Sequence, residues 1–175
     1  DLVLLEVASR FGGSSSLFRA KGVNFALMSL YNAFDISVSI LENNYEVEMD
    51  RALDNKYKIS IKYNEVFVDF DDCLFLEKKY INDQLIAFLI RCRNNGIKVS
   101  LLTKHDDSIL IPLDILLEDL KIKQIFDRII HIEVDEQKYK YIDNENAIFI
   151  DDSFAERKSI KENCGLNVFS VDMVE

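Results

Sequence analysis

The chain has 175 residues and a mass of 20.3 kDa, with 49% hydrophobic and 30% charged residues. That size and balance fit a globular protein of one large or two small domains with a buried core, and no apolar run approaches the ~18 residues of a membrane span. Thirty-one acids against 21 bases leave a net charge of −10, which speaks against a nucleic-acid or anionic-membrane surface.

The acid is unevenly placed. Residues 1–63 hold 8 acids and 7 bases, whereas residues 64–175 hold 23 acids and 14 bases. Two regions of different character are expected, with a boundary near residue 63. Cys73, Cys92 and Cys164 match neither a zinc pattern nor a disulfide framework, which suits a reducing cytoplasm. The chain opens at Asp1 inside an apolar run and reads as a piece of a longer protein.

In chain order, residues 2–8 (LVLLEVA) predict a strand and Phe11–Ser16 (FGGSSS) a turn, because Gly12 and Gly13 tolerate backbone angles other residues avoid. Apolar residues at helical spacing predict a helix over Val23–Phe34. Two β-rich runs, Tyr45–Ala52 and Lys56–Tyr63, predict a hairpin. From Asn64 the rhythm changes. Strands are predicted at Val66–Phe70, Ile97–Leu102, Arg128–Ile132, Ala147–Ile150 and Val168–Val171. Between them fall helices at Ile81–Asn94, closed by Gly96; at Ile109–Leu120, with Pro112 in its first turn; at Lys138–Ile142; and at Ser153–Asn163, capped by Ser153 and ended near Gly165. Alternating strands and helices imply an α/β fold with a parallel sheet flanked by helices on both faces.

Chemistry gathers at the strand ends. The run VFVDFDDCL places Asp69, Asp71 and Asp72 just past a buried strand, where ligands of parallel sheets bind. Thr103 and Lys104 follow a second strand, Asp151 and Asp152 a third, and Lys138 and Lys140 precede that third strand. Carboxylates from two strand ends make a hard oxygen site suited to Mg²⁺, which would neutralise an incoming phosphate. One aspartate can attack phosphorus, and another two residues on can exchange a proton with the leaving oxygen and then with water. A hydroxyl and a lysine can hold the phosphoryl oxygens.

In these residues the chain resembles the haloacid-dehalogenase-like (HAD) phosphohydrolases over about residues 64–175. Asp69-Phe70-Asp71 is similar to their first motif, Thr103 to the second, Lys138 (with Lys140 as rival) to the third, and Asp151-Asp152 to the acidic fourth. Cys73 stands where the family usually has Thr, and Asp72 where it often has Gly. The resemblance implies a Rossmann-like domain and a Mg²⁺-dependent phosphatase acting on a small phosphorylated metabolite. Asp69 would be its nucleophile and Asp71 its general acid and base, with Thr103 and Lys138 on the phosphoryl group. Mg²⁺ would sit on Asp69, the Asp71 carbonyl and Asp152, with Asp151 beside it. HAD enzymes with a cap insert it after the first motif or between the second and third. The 33 residues between Asp69 and Thr103, and the 34 between Thr103 and Lys138, are used up by predicted elements, so no cap is expected. His105 and His131 read as surface and strand residues, and Cys73 as packing.

Residues 1–63 carry a second resemblance. LLEVASRFGGSSSLFRAKGVNF is similar to the terminal segment of ATP-grasp ligases such as carbamoyl-phosphate synthase large subunits, where a strand bearing E-x-N-x-R precedes a Gly-rich turn and a helix. Glu6 and Arg10 match that pattern as cofactor contacts, while Ala8 stands where Asn belongs. The resemblance implies a small α+β segment, an ATP-grasp domain further upstream as partner, and ATP as a cofactor only of the longer parent. The alternative function is thus the tail of a carboxylate–amine ligase with an accessory HAD domain. A non-catalytic module keeping the fold is the third reading.

Overall fold

The computed structural model describes residues 10–51 and 55–174. The chain divides into two compact units, Asp1–Ile61 and Lys62–Glu175.

In the first unit two short helices precede a hairpin. Helix α1 spans Ser16–Ala20 and α2 spans Phe25–Ala33. Asn24 caps α2 by accepting from the Leu27 amide at 3.1 Å, satisfying a donor that has no partner within the first turn. The Ser14–Ser16 run, expected to be only turn, leads into α1. Strands β1 (Val47–Arg51) and β2 (Asn55–Ile59) pair antiparallel, as the two β-rich runs predict. Val23 and Tyr45 are buried, and the Tyr45 hydroxyl donates to the Ala20 carbonyl. The predicted strand at residues 2–8 and the candidate Glu6 lie outside the described residues. Arg10 is exposed.

The second unit is an α/β layer structure. Strand β3 (Glu65–Val68) leads through a small antiparallel hairpin, β4 (Phe75–Leu76) and β5 (Tyr80–Ile81), to helix α3 (Asp83–Asn94) and strand β6 (Lys98–Thr103). Helix α4 (Leu113–Asp119) and strand β7 (Arg128–His131) follow. A single 3-10 turn, Lys138–Tyr141, precedes β8 (Ala147–Ile150), α5 (Phe154–Cys164) and β9 (Asn167–Phe169). The five longer strands form one parallel sheet in the order β7-β6-β3-β8-β9. Every residue of β3 and β8 is buried, so both sheet faces are covered, as parallel sheets require. Helix α3 packs on β6, and α5 packs on β8 and β9.

Local detail departs from the expectations at α4 and at the hairpin after β3. Helix α4 begins at Leu113, not Ile109, and Pro112 is its cap rather than its first turn. A residue before proline avoids the helical region, and the Leu113 amide instead donates to Asp107 Oδ1 at 2.9 Å. The short helix expected at Lys138–Ile142 is a 3-10 helix over Lys138–Tyr141. The hairpin β4–β5 was not foreseen, because its strands have two residues each and its turn holds Glu77 and Lys78 at φ of 51° and 54°. No separate cap domain stands among the described residues between Asp69 and Thr103 or between Thr103 and Lys138.

The core follows the sheet. Phe67, Phe149, Leu101, Leu102 and Ile150 have no exposed surface, nor do Leu85 and Leu89 of α3, Leu117 of α4 and Ile160 of α5. Each such side chain contributes about 1.5–3 kcal/mol by leaving water. The opposite end of β3 carries a buried polar cluster. Ser100 Oγ donates to Glu65 Oε1 at 2.5 Å and Asn144 Nδ2 to Oε2 at 2.9 Å, so the Glu65 carboxylate enters the sheet satisfied.

Candidate active site

Register decides what meets at the carboxyl ends of the strands. Val68 pairs with Ile150 on one side and Leu101 on the other. Asp69 and Asp151 therefore leave the sheet at the same level, with Thr103 ending the neighbouring strand. The Asp69 amide donates to the Ile150 carbonyl at 3.0 Å and the Asp151 amide to the Phe169 carbonyl at 3.1 Å, so both backbones are fixed by the ladder. Past Asp69 the chain turns sharply. Asp72 has φ of 54°, a left-handed angle that a side chain adopts only at some cost.

Lys138 is wedged between the two aspartates. Its Nζ lies 2.6 Å from Asp151 Oδ2 and 2.8 Å from Asp69 Oδ1, and the residue is only 2% exposed. Lys140, its rival in sequence, is exposed. The other Asp151 oxygen accepts from the Ser153 amide at 2.7 Å. Asp69 Oδ1 is buried as well, with the Lys138 ammonium beside it as an ion pair. Thr103 is 1% exposed.

These groups open on one cavity of about 220 Å³, below the ~300 Å³ at which pockets start to enclose drug-sized ligands. Its walls carry the carboxylates of Asp69, Asp71, Asp151 and Glu156, the ammoniums of Lys104 and Lys138, and the hydroxyls of Thr103 and Ser153. Lys104 and Glu156 neutralise each other at 2.7 Å. That leaves three carboxylates against Lys138. Asp152 is exposed, and one oxygen each from Asp69, Asp151 and Asp152 lie within 4.8 Å of one another.

Such crowding disfavours full ionisation. Burial first, and then the Asp69 charge, push the Asp151 carboxyl up to about 7, with Lys138 pulling the other way. Burial raises Asp69 as well, against the charge of Lys138, and burial followed by Asp69 raises Asp152. Burial pulls Lys138 down, but Asp69 and Asp151 more than offset it and the net direction is upward. The buried Cys73 thiol is pushed far up by burial and the neighbouring aspartates, so it is a packed thiol and not a thiolate.

The structure thus brings together Asp69, Asp71, Thr103, Lys138, Asp151 and Asp152, and leaves Arg10 in the other unit. It adds three participants that the sequence reading passed over. Ser153 and Glu156 line the cavity from the start of α5. His105 is 3% exposed rather than a surface residue, with Nδ1 2.8 Å from Asp71 Oδ2. Only its place two residues past a strand end hinted at this.

No protein-family model and no curated protein matches the chain. Among solved structures it is similar to a HAD-superfamily hydrolase from Ehrlichia chaffeensis, at 12% identity and TM-score 0.45 over 62% of this chain and 92% of that one. It is also similar to the N-terminal part of the protein BF1531 from Bacteroides fragilis, which contains a phosphatase domain complexed with Mg, at 14% identity and TM-score 0.41 over 63% and 36% of the two chains. A chain of the Pnkp1/Rnl/Hen1 RNA repair complex matches at 13% identity and TM-score 0.48, over 94% of this chain and 57% of that one.

Proposed function

We propose that the second unit is a Mg²⁺-dependent phosphohydrolase of the HAD type that cleaves phosphate monoesters through an aspartyl-phosphate on Asp69. The charge balance of the cavity carries the reading. A site with more carboxylates than ammoniums repels a phosphate dianion, yet its lysine and hydroxyls suit phosphoryl oxygens. A divalent cation reconciles the two. The donor set fits one, since carboxylate oxygens of Asp69, Asp151 and Asp152 converge within 4.8 Å of one another. Asp69, Asp151 and Asp152 would hold Mg²⁺ together with the Asp71 carbonyl. When bound, Mg²⁺ supplies the positive charge that admits the phosphoryl group and draws the neighbouring carboxyls into their ionised form.

The remaining work belongs to the chain. An Asp69 oxygen attacks phosphorus while the bond from phosphorus to the alcohol oxygen breaks, and Asp71 gives its proton to that oxygen. Asp71, now a carboxylate, takes a proton from water. The water oxygen attacks phosphorus, the bond to Asp69 breaks, and inorganic phosphate leaves with both aspartates restored. Lys138 and the Thr103 hydroxyl donate to the phosphoryl oxygens throughout. A small phosphorylated metabolite is the substrate class that fits a cavity of this size.

The test is phosphate release from a panel of phosphate monoesters by the full chain, with Mg²⁺ and with a chelator. Asp69→Asn, nearly isosteric, is expected to bring turnover to background while melting remains cooperative. Turnover retained in that variant removes Asp69 from the role.

A further inference from the structure

His105 is a buried side chain whose two ring nitrogens are both engaged. Nε2 lies 2.8 Å from the Ile111 carbonyl, and Nδ1 lies 2.8 Å from Asp71 Oδ2. A carbonyl only accepts, so Nε2 carries a proton and donates to Ile111. The ring stands edge-on to Phe70 with centroids 5.7 Å apart, and the His105 carbonyl accepts from His131 Nε2 at 2.6 Å. Ring and backbone are therefore held from three sides: by the 106–111 loop, by β7 and by the aromatic residue between the two aspartates. Asp71 is held far less firmly. Its side chain is 35% exposed, and among the described residues His105 is the partner its carboxylate has. It also sits on the turn whose next residue, Asp72, adopts a left-handed angle.

We propose that His105 is the positioning residue for Asp71. Braced on the Ile111 carbonyl, its Nδ1–H donates to Asp71 Oδ2, which leaves the acid proton on the other Asp71 oxygen and aims it at the leaving oxygen inside the cavity that Asp71 lines. The inference rests on the phosphohydrolase reading and deepens it. A half-exposed carboxylate without this brace samples several rotamers, and proton transfer to a leaving group tolerates little displacement.

Leaving-group dependence separates this role from general support of the fold. An alkyl phosphate needs a proton on its leaving oxygen, whereas p-nitrophenolate departs without one. For the full chain with Mg²⁺, His105→Ala is expected to lower kcat on an alkyl phosphate about 100-fold, while kcat on p-nitrophenyl phosphate and both KM values change less than about threefold. His105→Asn places an amide where Nδ1 was and is expected to restore most of the alkyl activity. His105→Gln reaches only the Ile111 side and is expected not to. Equal loss on both substrates, or rescue by Gln instead of Asn, overturns the proposal and assigns His105 to loop support.

A second readout needs no turnover. The chain has two histidines, so a ¹⁵N-histidine spectrum is assignable with one variant. The Nδ1 resonance of His105 is expected to move in Asp71→Ala while those of His131 stay, and an unmoved Nδ1 overturns the contact itself. If wild type releases no phosphate from either ester but Nδ1 responds, the phosphohydrolase reading fails and takes the positioning role with it, while the contact stands. If wild type is active and only the His105 pattern is absent, the positioning role alone fails.

Discussion

Asp151 is held at about 7 by burial and then by the Asp69 charge, and this gives the cation-free protein a signed response to pH. A carboxyl raised above its unfolded value binds a proton in the native state that the unfolded chain has already lost. Stability therefore falls as pH rises from about 4 toward 7. Asp69 and Asp152, also raised, act in the same sense. Asp106, Glu136 and Asp143, which hydrogen bonds hold low, act in the opposite sense only below their ordinary range. Lys138, raised, matters only in strong alkali. In chelator the melting temperature is expected to drop between pH 5 and pH 8, and Asp151→Asn should flatten the slope. A melting temperature constant or rising over that interval would show that these carboxyls are not so crowded. The aspartates, Thr103 and Lys138 were legible in the sequence because strand-end position and residue type both mark them. His105 was not, because its meaning lies in a partner 34 residues away that no local pattern encodes.

The hairpin after the site shows how an element can be set by tertiary context against local preference. The Lys79 amide donates to the Leu76 carbonyl at 3.0 Å across Glu77 and Lys78, both at positive φ. Two consecutive positive φ values are what the central residues of a type I′ turn adopt, where Asn-Gly is the preferred pair. Side chains with a Cβ cost about 1 kcal/mol each in that region. The double variant E77N/K78G is expected to stabilise the second unit by about 1 kcal/mol, once glycine's greater unfolded freedom is set against the relieved strain. Chemical denaturation measures it, and a destabilised variant would mean that the two side chains make contacts outweighing the turn. Elements marked by a continuous apolar run or by helical periodicity, such as β3, β6, β8 and α3, were legible to within about two residues. The short ones were not. Two-residue strands carry too little periodicity, and α4 starts where Pro112 and Asp107 allow rather than where its apolar residues begin.

At the scale of the whole second unit, the site is a dent at the carboxyl ends of the central strands, and the described residues of this unit include no separate cap domain. Few groups surround the leaving part of a substrate, so little remote binding energy reaches the reacting centre. On p-nitrophenyl phosphate kcat/KM is expected to stay below about 10⁴ M⁻¹ s⁻¹, the low end for enzymes, and a higher value would show that the open rim is no handicap. Mg²⁺ at a hundredfold its dissociation constant should add about 2.7 kcal/mol and raise the melting temperature by several degrees, an effect that Asp152→Ala should diminish. The strand order has a further consequence, for the growing chain. With β7-β6-β3-β8-β9 as the order, β3 can pair with β6, and β6 with β7, as soon as they leave the ribosome. Its other edge stays open until β8 emerges at Ala147–Ile150. That edge is the fully buried EVFV run, a row of unpaired backbone groups beside apolar side chains of the kind that recruits foreign strands. Translation pauses between residues 104 and 147 therefore fall in the interval when the nascent protein is most prone to aggregate. Asp151, carried in directly behind β8, comes to stand beside Asp69 only when that edge closes.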